Sequence, residues 1–178
     1  MMSGKEHLEK VRRERSLLER IMSYIPGYRG YKEKELRRES DRLVRMEVVN
    51  RLKDAKTAFR RKFANPAFVQ KLSSEDTFRF DAFTARIDRV IQRIDRAVAG
   101  YAGMFDAVKV GEDKLDTVLE YDASLIEKAE AIKAGVEKVN ELEPGKDDWR
   151  TAVDDLISKV EELDKLVDKR AEILRGLG

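Results

Sequence analysis

The chain has 178 residues, 40% of them charged and 42% hydrophobic, with three prolines, one histidine and no cysteine. That length supports one domain with a real core. The missing cysteines exclude disulfides, thiolate metal sites and cysteine nucleophiles, and no apolar run reaches the roughly 18 residues of a transmembrane helix.

The net charge of +2 hides an asymmetry, because residues 1–72 carry 20 Lys/Arg against 10 Asp/Glu and residues 73–178 carry 17 against 25. Such a split gives either a basic face for an anionic partner or two halves that attract each other. The N-terminus is charged from the start and lacks a signal-peptide apolar core, which predicts a cytoplasmic protein with peripheral membrane contact still open. Abundant Arg, Lys and Glu with few Asn and Gln lean toward a thermophile.

Residues 1–25 read as a basic amphipathic arm. Leu8, Val11, Leu18, Met22 and Ile25 follow one side, and Lys10, Arg12, Arg13, Arg15 and Arg20 enrich the other. Residues 26–31 form a junction, in which Pro26–Gly27 suits the centre of a type II turn and Gly30 permits a backbone other residues resist. Tyr24, Tyr28 and Tyr31, three of the five tyrosines, cluster here. Their rings can close the junction against the rest of the chain or offer an aromatic patch to a partner.

Residues 32–178 predict a helical bundle, with helices over about 32–64, 66–72, 74–109, 112–142 and 147–175. The first has Leu36, Leu43, Val44, Val48, Leu52, Ala55, Phe59 and Phe63 on a broad face, with Glu33 and Glu35 complementing its dipole. Asn65–Pro66 interrupts it and restarts a short helix. From Ser73 or Ser74 a heptad runs through Phe80, Ile87, Ile94, Tyr101 and Val108, with Ile91, Val98 and Phe105 between them. Gly100 and Gly103 interrupt good helix formers there and call for close packing, a kink or a hinge.

Gly111 ends that helix. The next has two seam lines, Val118, Leu125, Ile132 and Val139 beside Leu115, Ala129 and Val136, with Asp122 on the second. Pro144–Gly145 turns the chain, Asp147 is the expected N-cap, and Trp149, Val153, Leu156, Val160, Leu163, Val167 and Leu174 mark the last helix. Short connections predict that sequential helices are antiparallel neighbours. The expected fold is all-α, an antiparallel bundle of three long heptad-bearing helices plus a fourth from the N-terminal half.

Few chemistries survive. His7, the one histidine, cannot supply the paired Glu-x-x-His motifs of a di-iron bundle or a hydrolytic triad on a rigid scaffold. No phosphate-binding glycine loop is present, since the "GYRG" of 27–30 is too short and follows a helix. Carboxylate spacings such as Asp116/Glu120 and Glu127/Glu130 recur by chance among 35 acids and read as solvated charge. Asp122 on a seam must be paired or protonated if buried, which predicts an Arg partner across the bundle that sets the register, an exposed seam end, or else a functional carboxylate.

The segment "IPGYRGYKEKELRRESDRLVR" resembles one found near the N-termini of small, uncharacterised helical proteins of bacteria and archaea. The resemblance covers about twenty residues and brings no activity, catalytic residue or cofactor with it. The basic-then-acidic helical layout is also similar in composition to membrane-remodelling polymers of the ESCRT-III and phage-shock type, although short connections suit a closed bundle better than their long hairpin.

These features predict a non-enzymatic interaction or scaffold module without cofactor, metal or small-molecule substrate. Its contact surface is expected at Arg12, Arg13, Arg15, Arg20, Tyr24, Tyr28, Arg29, Tyr31, Arg37 and Arg38, facing a protein partner or a second copy. The alternative is a peripheral membrane protein with the arm on anionic lipid; nucleic acid is the weaker partner, since no recognised motif or aromatic-basic groove accompanies the charge.

Overall fold

The computed structural model describes residues 3–31, 34–107 and 112–174, with side chains described except at 34, 37, 97–107, 112–115 and 174. Six helices follow one another: α1 (Gly4–Tyr24), α2 (Lys34–Phe63), α3 (Pro66–Val69), α4 (Ser74–Ala107), α5 (Glu112–Glu141) and α6 (Asp147–Leu174). The described chain is all-helical, as the heptads and breaks predict. Glu33, Val108 and Gly111, and the side chains of Arg37, Val98, Tyr101, Phe105, Leu115 and Leu174, lie outside the described residues. The α4 backbone runs as helix through Gly100 and Gly103.

Each start has a local cause. Ser3 and Glu6 close a capping box on α1, and Asn65 caps α3 with Pro66 in its first turn. Ser73 and Asp76 exchange backbone-to-side-chain bonds of 3.2 and 3.0 Å at the start of α4. The predicted cap of α6 is displaced by one residue: Arg150 N–H reaches the Lys146 carbonyl, so Asp147 is the first helical residue. There it complements the dipole instead of capping. Before it, Gly145 takes φ +79° to complete the Pro144–Gly145 turn.

Helices α2, α4, α6 and α5 form a closed ring, each packed on the next in that order. Cross-helix pairs fix the directions. Lys56–Asp88 and Phe59–Phe83 set α2 antiparallel to α4, while Arg79–Asp154 and Arg86–Glu161 set α4 parallel to α6. Asp122–Arg170 and Lys128–Glu162 set α6 antiparallel to α5. Arg51–Glu130, and Asn140 donating to the Ala58 carbonyl, set α5 parallel to α2.

The expectation that sequential helices are neighbours therefore fails once. Among the described residues α4 and α5 do not touch, although they are joined by a short connection. They are antiparallel but sit at diagonal corners of the ring. The physical reason lies in α5, whose two seam lines bury Val118, Leu125, Ile132 and Val139 together with Ala129 and Val136. That wide apolar face takes α2 on one side and α6 on the other.

The core runs the length of the ring. Near the α3 end Phe59, Phe63, Phe80 and Phe83 interlock, with Phe59–Phe83 centroids 4.5 Å apart and edge to face. Trp149 is fully buried at this end too; burying side chains of this size is worth roughly 2–3 kcal/mol each. Gly135 marks the tightest crossing: a Cβ there would lie 2.6 Å from Leu156 Cδ2.

Helix α1 lies outside the ring, with its backbone packed against α5 and parallel to it. Lys10–Asp116 (3.2 Å), Arg13–Glu120 and Arg20–Glu127 step along both helices together. The apolar side predicted for the arm is displaced. Leu17, Ile21 and Ile25 are the buried residues, whereas Leu8, Val11 and Met22 are 60, 47 and 49% exposed. The arm has two adjacent apolar lines, and the acids of α5 select the one flanked by Lys10, Arg13 and Arg20.

Candidate functional site

Two arrangements stand out: a buried polar cluster where the junction meets the bundle, and the outer face of α1. The cluster begins with the turn at the end of α1. Ile25 leaves the helix in extended geometry, and Gly27 takes φ +92° while Tyr28 N–H reaches the Ile25 carbonyl at 3.2 Å. This is the type II turn that Pro26–Gly27 predicts. Gly30 takes φ +84°, and its carbonyl accepts from Ser40 Oγ at 2.7 Å. The chain thereby returns along α1 toward the start of α2 and points Tyr28 and Tyr31 inward.

The two rings meet edge to face at 6.2 Å, and both hydroxyls donate to Asp122 Oδ2, Tyr28 at 3.1 Å and Tyr31 more closely. Arg170 Nε donates to Asp122 Oδ1 at 2.6 Å. Its Nη2 donates to Asp41 Oδ1 at 2.6 Å and to the Tyr31 hydroxyl at 3.1 Å. Arg45 Nε closes the chain of bonds on Asp41 Oδ2 at 2.8 Å. Asp122, Asp41, Arg170, Tyr28 and Tyr31 are all buried.

The cluster balances two carboxylates against two guanidiniums, so it is neutral as a unit. Burial pushes the Asp122 carboxyl up, while Arg170 and the Tyr31 hydroxyl pull it back. Burial and the Asp122 charge hold both tyrosine hydroxyls far above their ordinary value, which keeps them as donors and denies them a phenolate role. With three donors on Asp122, the arrangement is a structural clamp joining the junction, α2, α5 and α6. The expected Arg partner of Asp122 across the bundle is Arg170.

The predicted contact surface divides accordingly. Tyr28 and Tyr31 are corrected: they lie inside the clamp, because a buried carboxylate needs more donors than Arg170 alone provides. Tyr24 is half-buried, with Arg51 stacked 5.0 Å from its ring centre. Arg13 and Arg20 face acids of α5. Arg12, Arg15, Arg29 and Arg38 are exposed, and Arg15 reaches Glu19 on its own helix. Arg37 has its side chain outside the described residues.

Sequence reasoning missed Asp41 and Arg170, although a signal for both was present. Arg170 stands seven residues after Leu163 and fourteen after Leu156, and Asp41 seven before Val48, so each places a charge on an apolar seam, as Asp122 does. A second ion pair, between a buried carboxylate and a partly exposed arginine, was also missed. Arg150 grips Asp76 with two bonds of 2.7 and 3.1 Å, holding its carboxyl down at about 2.

Among the described residues no group of three His, Asp or Glu side chains could hold a metal ion, and no helix is long and apolar enough to cross a membrane. Among the described residues, and apart from Met46 on α2 and Val69 on α3, the large exposed apolar side chains lie in two places. One is the α1 line of Leu8, Val11 and Met22. The other is Phe78, 74% exposed in an open groove between α4 and α6 that Ala82, Ile157, Arg79 and Arg86 also line. No family model matches the chain, and no curated protein or solved structure is significantly similar to it.

Proposed function

We propose that the protein is a non-enzymatic, cytoplasmic scaffold module whose contact surface is the outer face of α1, directed at another protein. One observation carries this reading: Leu8, Val11 and Met22 stay about half exposed or more along a helix that is capped at its start and ion-paired to α5. An apolar line held rigid in water, with exposed Arg15 on it between Val11 and Met22 and exposed Arg12 beside it, suits a partner's complementary surface. The polar cluster supports the non-enzymatic half of the reading, since its carboxylates are committed to internal donors.

Anionic lipid is the second reading for the same apolar line. Protein contact is favoured over it because Lys10, Arg13 and Arg20, which a lipid-bound arm would turn to headgroups, face acids of α5 instead.

A photo-crosslinking residue at Val11, with one at exposed Asn50 as control, tests the proposal in the cells the protein comes from. Protein adducts of defined mass at position 11 alone support it, and their absence refutes it. Sedimentation with phosphatidylglycerol vesicles, lost on Leu8→Glu/Met22→Glu, would move the assignment to the membrane reading.

A further inference from the structure

We infer that the protein on the outer face of α1 is a second copy of this chain, docked head to tail with its α4/α6 groove over that face. The inference rests on the reading of α1 as the contact surface and names its partner.

Three observations converge. The first is position. α1 lies against the outside of α5, and α4 occupies the corner of the ring diagonal to α5. The two exposed apolar features therefore face away from each other and cannot meet within one molecule. The second is shape. An open groove lined by Phe78, Ala82 and Ile157 suits a helix presenting Leu8, Val11 and Met22 on one side.

The third is charge. α1 and α2 together carry 17 Lys/Arg against nine Asp/Glu, whereas α4 and α6 carry 10 against 15. α2 and α6 occupy opposite corners, so the molecule is a lateral dipole with its basic side near the arm and its acidic side near the groove. Within the groove Glu75 and Asp154 are balanced by Arg79 and Arg86, so the attraction for Arg12 and Arg15 comes from the wider acidic side, including fully exposed Asp147 at the same end of α6. Stacked copies align these dipoles, and stacked like faces would oppose them.

The contact is heterologous: each copy offers one α1 face and one groove, so association propagates instead of closing as a symmetric dimer. The groove lies at the level of Gly135, which meets Leu156 beside Ile157. The centre of α1 lies between the Lys10–Asp116 and Arg20–Glu127 pairs. The difference is roughly 14 residues of α5, so each copy would be offset by about 20 Å along the bundle axis.

Sedimentation velocity with light scattering on the full chain, over a concentration series at low and high salt, tests this. The wild type should grow past a dimer with concentration and dissociate as salt rises. Phe78→Arg and Leu8→Glu/Met22→Glu alter exposed positions, so both should keep the wild-type helical signal while each weakens association by more than about 30-fold. Mixed in equal amounts, they still provide one intact α1 face and one intact groove, and should form a species that stops at two copies.

A monomeric wild type at every concentration, Phe78→Arg associating like the wild type, or a mixture that stays monomeric would each overturn the inference. If the wild type is monomeric while a crosslinker at Val11 still captures a different protein, the contact-face reading stands and this inference alone falls.

Discussion

Replacing Arg170 by methionine keeps much of its length and removes its charge from the polar cluster. Arg170 is 3% exposed in its side chain and supplies bonds of 2.6 Å to both Asp122 and Asp41. Without it the cluster holds two carboxylates and only Arg45 to balance them, and Asp122 retains just the two tyrosine hydroxyls. Leaving a buried charge uncompensated costs about 3–5 kcal/mol, which in a domain of this size lowers the melting temperature by roughly 6–20 °C.

The loss should depend on pH. Asp122 is already raised by burial, and removing Arg170 removes the main influence that lowers it. A carboxyl whose folded pKa lies above its unfolded value stabilises the fold at low pH and loses that contribution as pH rises through the folded value. The deficit of Arg170→Met should therefore be greatest near neutrality and shrink on acidification. Asp122→Asn combined with Arg170→Met should cost about 2 kcal/mol less than the two single changes added together. Urea unfolding followed by circular dichroism measures all three variants, with Trp149 fluorescence reporting from the opposite end of the bundle. An Arg170→Met loss under about 1 kcal/mol, or additive single changes, would refute the clamp.

Tyr31→Phe should cost about 2 kcal/mol and Tyr28→Phe about 1 kcal/mol in the same assay, because the Tyr31 hydroxyl both donates to Asp122 and accepts from Arg170 while that of Tyr28 only donates. Asp76, held at about 2 against an ordinary 3.8, contributes stability above pH 4 that is lost as pH falls toward 2. Arg150→Gln should flatten that part of the stability curve, with a modest loss near neutrality because the guanidinium is partly exposed to solvent. Gly145→Ala combines a left-handed backbone with a Cβ placed 2.6 Å from the Lys71 carbonyl oxygen, whereas Gly27→Ala meets nothing within 4 Å. Thermal melts should show roughly 3 kcal/mol lost at Gly145 and about 1 kcal/mol at Gly27, separating steric conflict from backbone strain.

The extents of the long helices were legible because each has a local cause: a heptad, a cap or a proline. The predicted 74–109, 112–142 and 147–175 stand beside the observed Ser74–Ala107, Glu112–Glu141 and Asp147–Leu174. The ring order was not legible, because a seam says that a face is buried without saying which helix covers it. The face of α1 was misread for a related reason. Leu8, Val11, Leu18, Met22 and Ile25 make the better apolar line, and Ile25 and part of Leu18 are indeed covered, but Leu17 and Ile21 lie where Arg13 and Arg20 can also reach Glu120 and Glu127. In the clamp, Asp122 advertised itself as a charge on a seam. The tyrosines did not, since their rings suit a surface patch and a buried hydroxyl network equally well.

The charge split between the two parts of the chain now resolves into two physical effects. Most of the attraction is internal: α5, with nine acids against four lysines, receives Lys10, Arg13 and Arg20 from α1 and Arg51 from α2. What α5 does not neutralise is left at opposite corners, basic on α2 and acidic on α6. The clamp connects this residue of charge to the contact face. It fixes the junction to α2, α5 and α6 through Tyr28 and Tyr31, so α1 is held at both its start and its end, by Lys10–Asp116 and by the turn at Ile25. A rigidly held arm keeps Leu8, Val11 and Met22 on one line in water, which a freely moving arm could avoid by folding them away. The buried cluster therefore acts on recognition without touching a partner, by removing the conformational freedom that binding would otherwise have to remove.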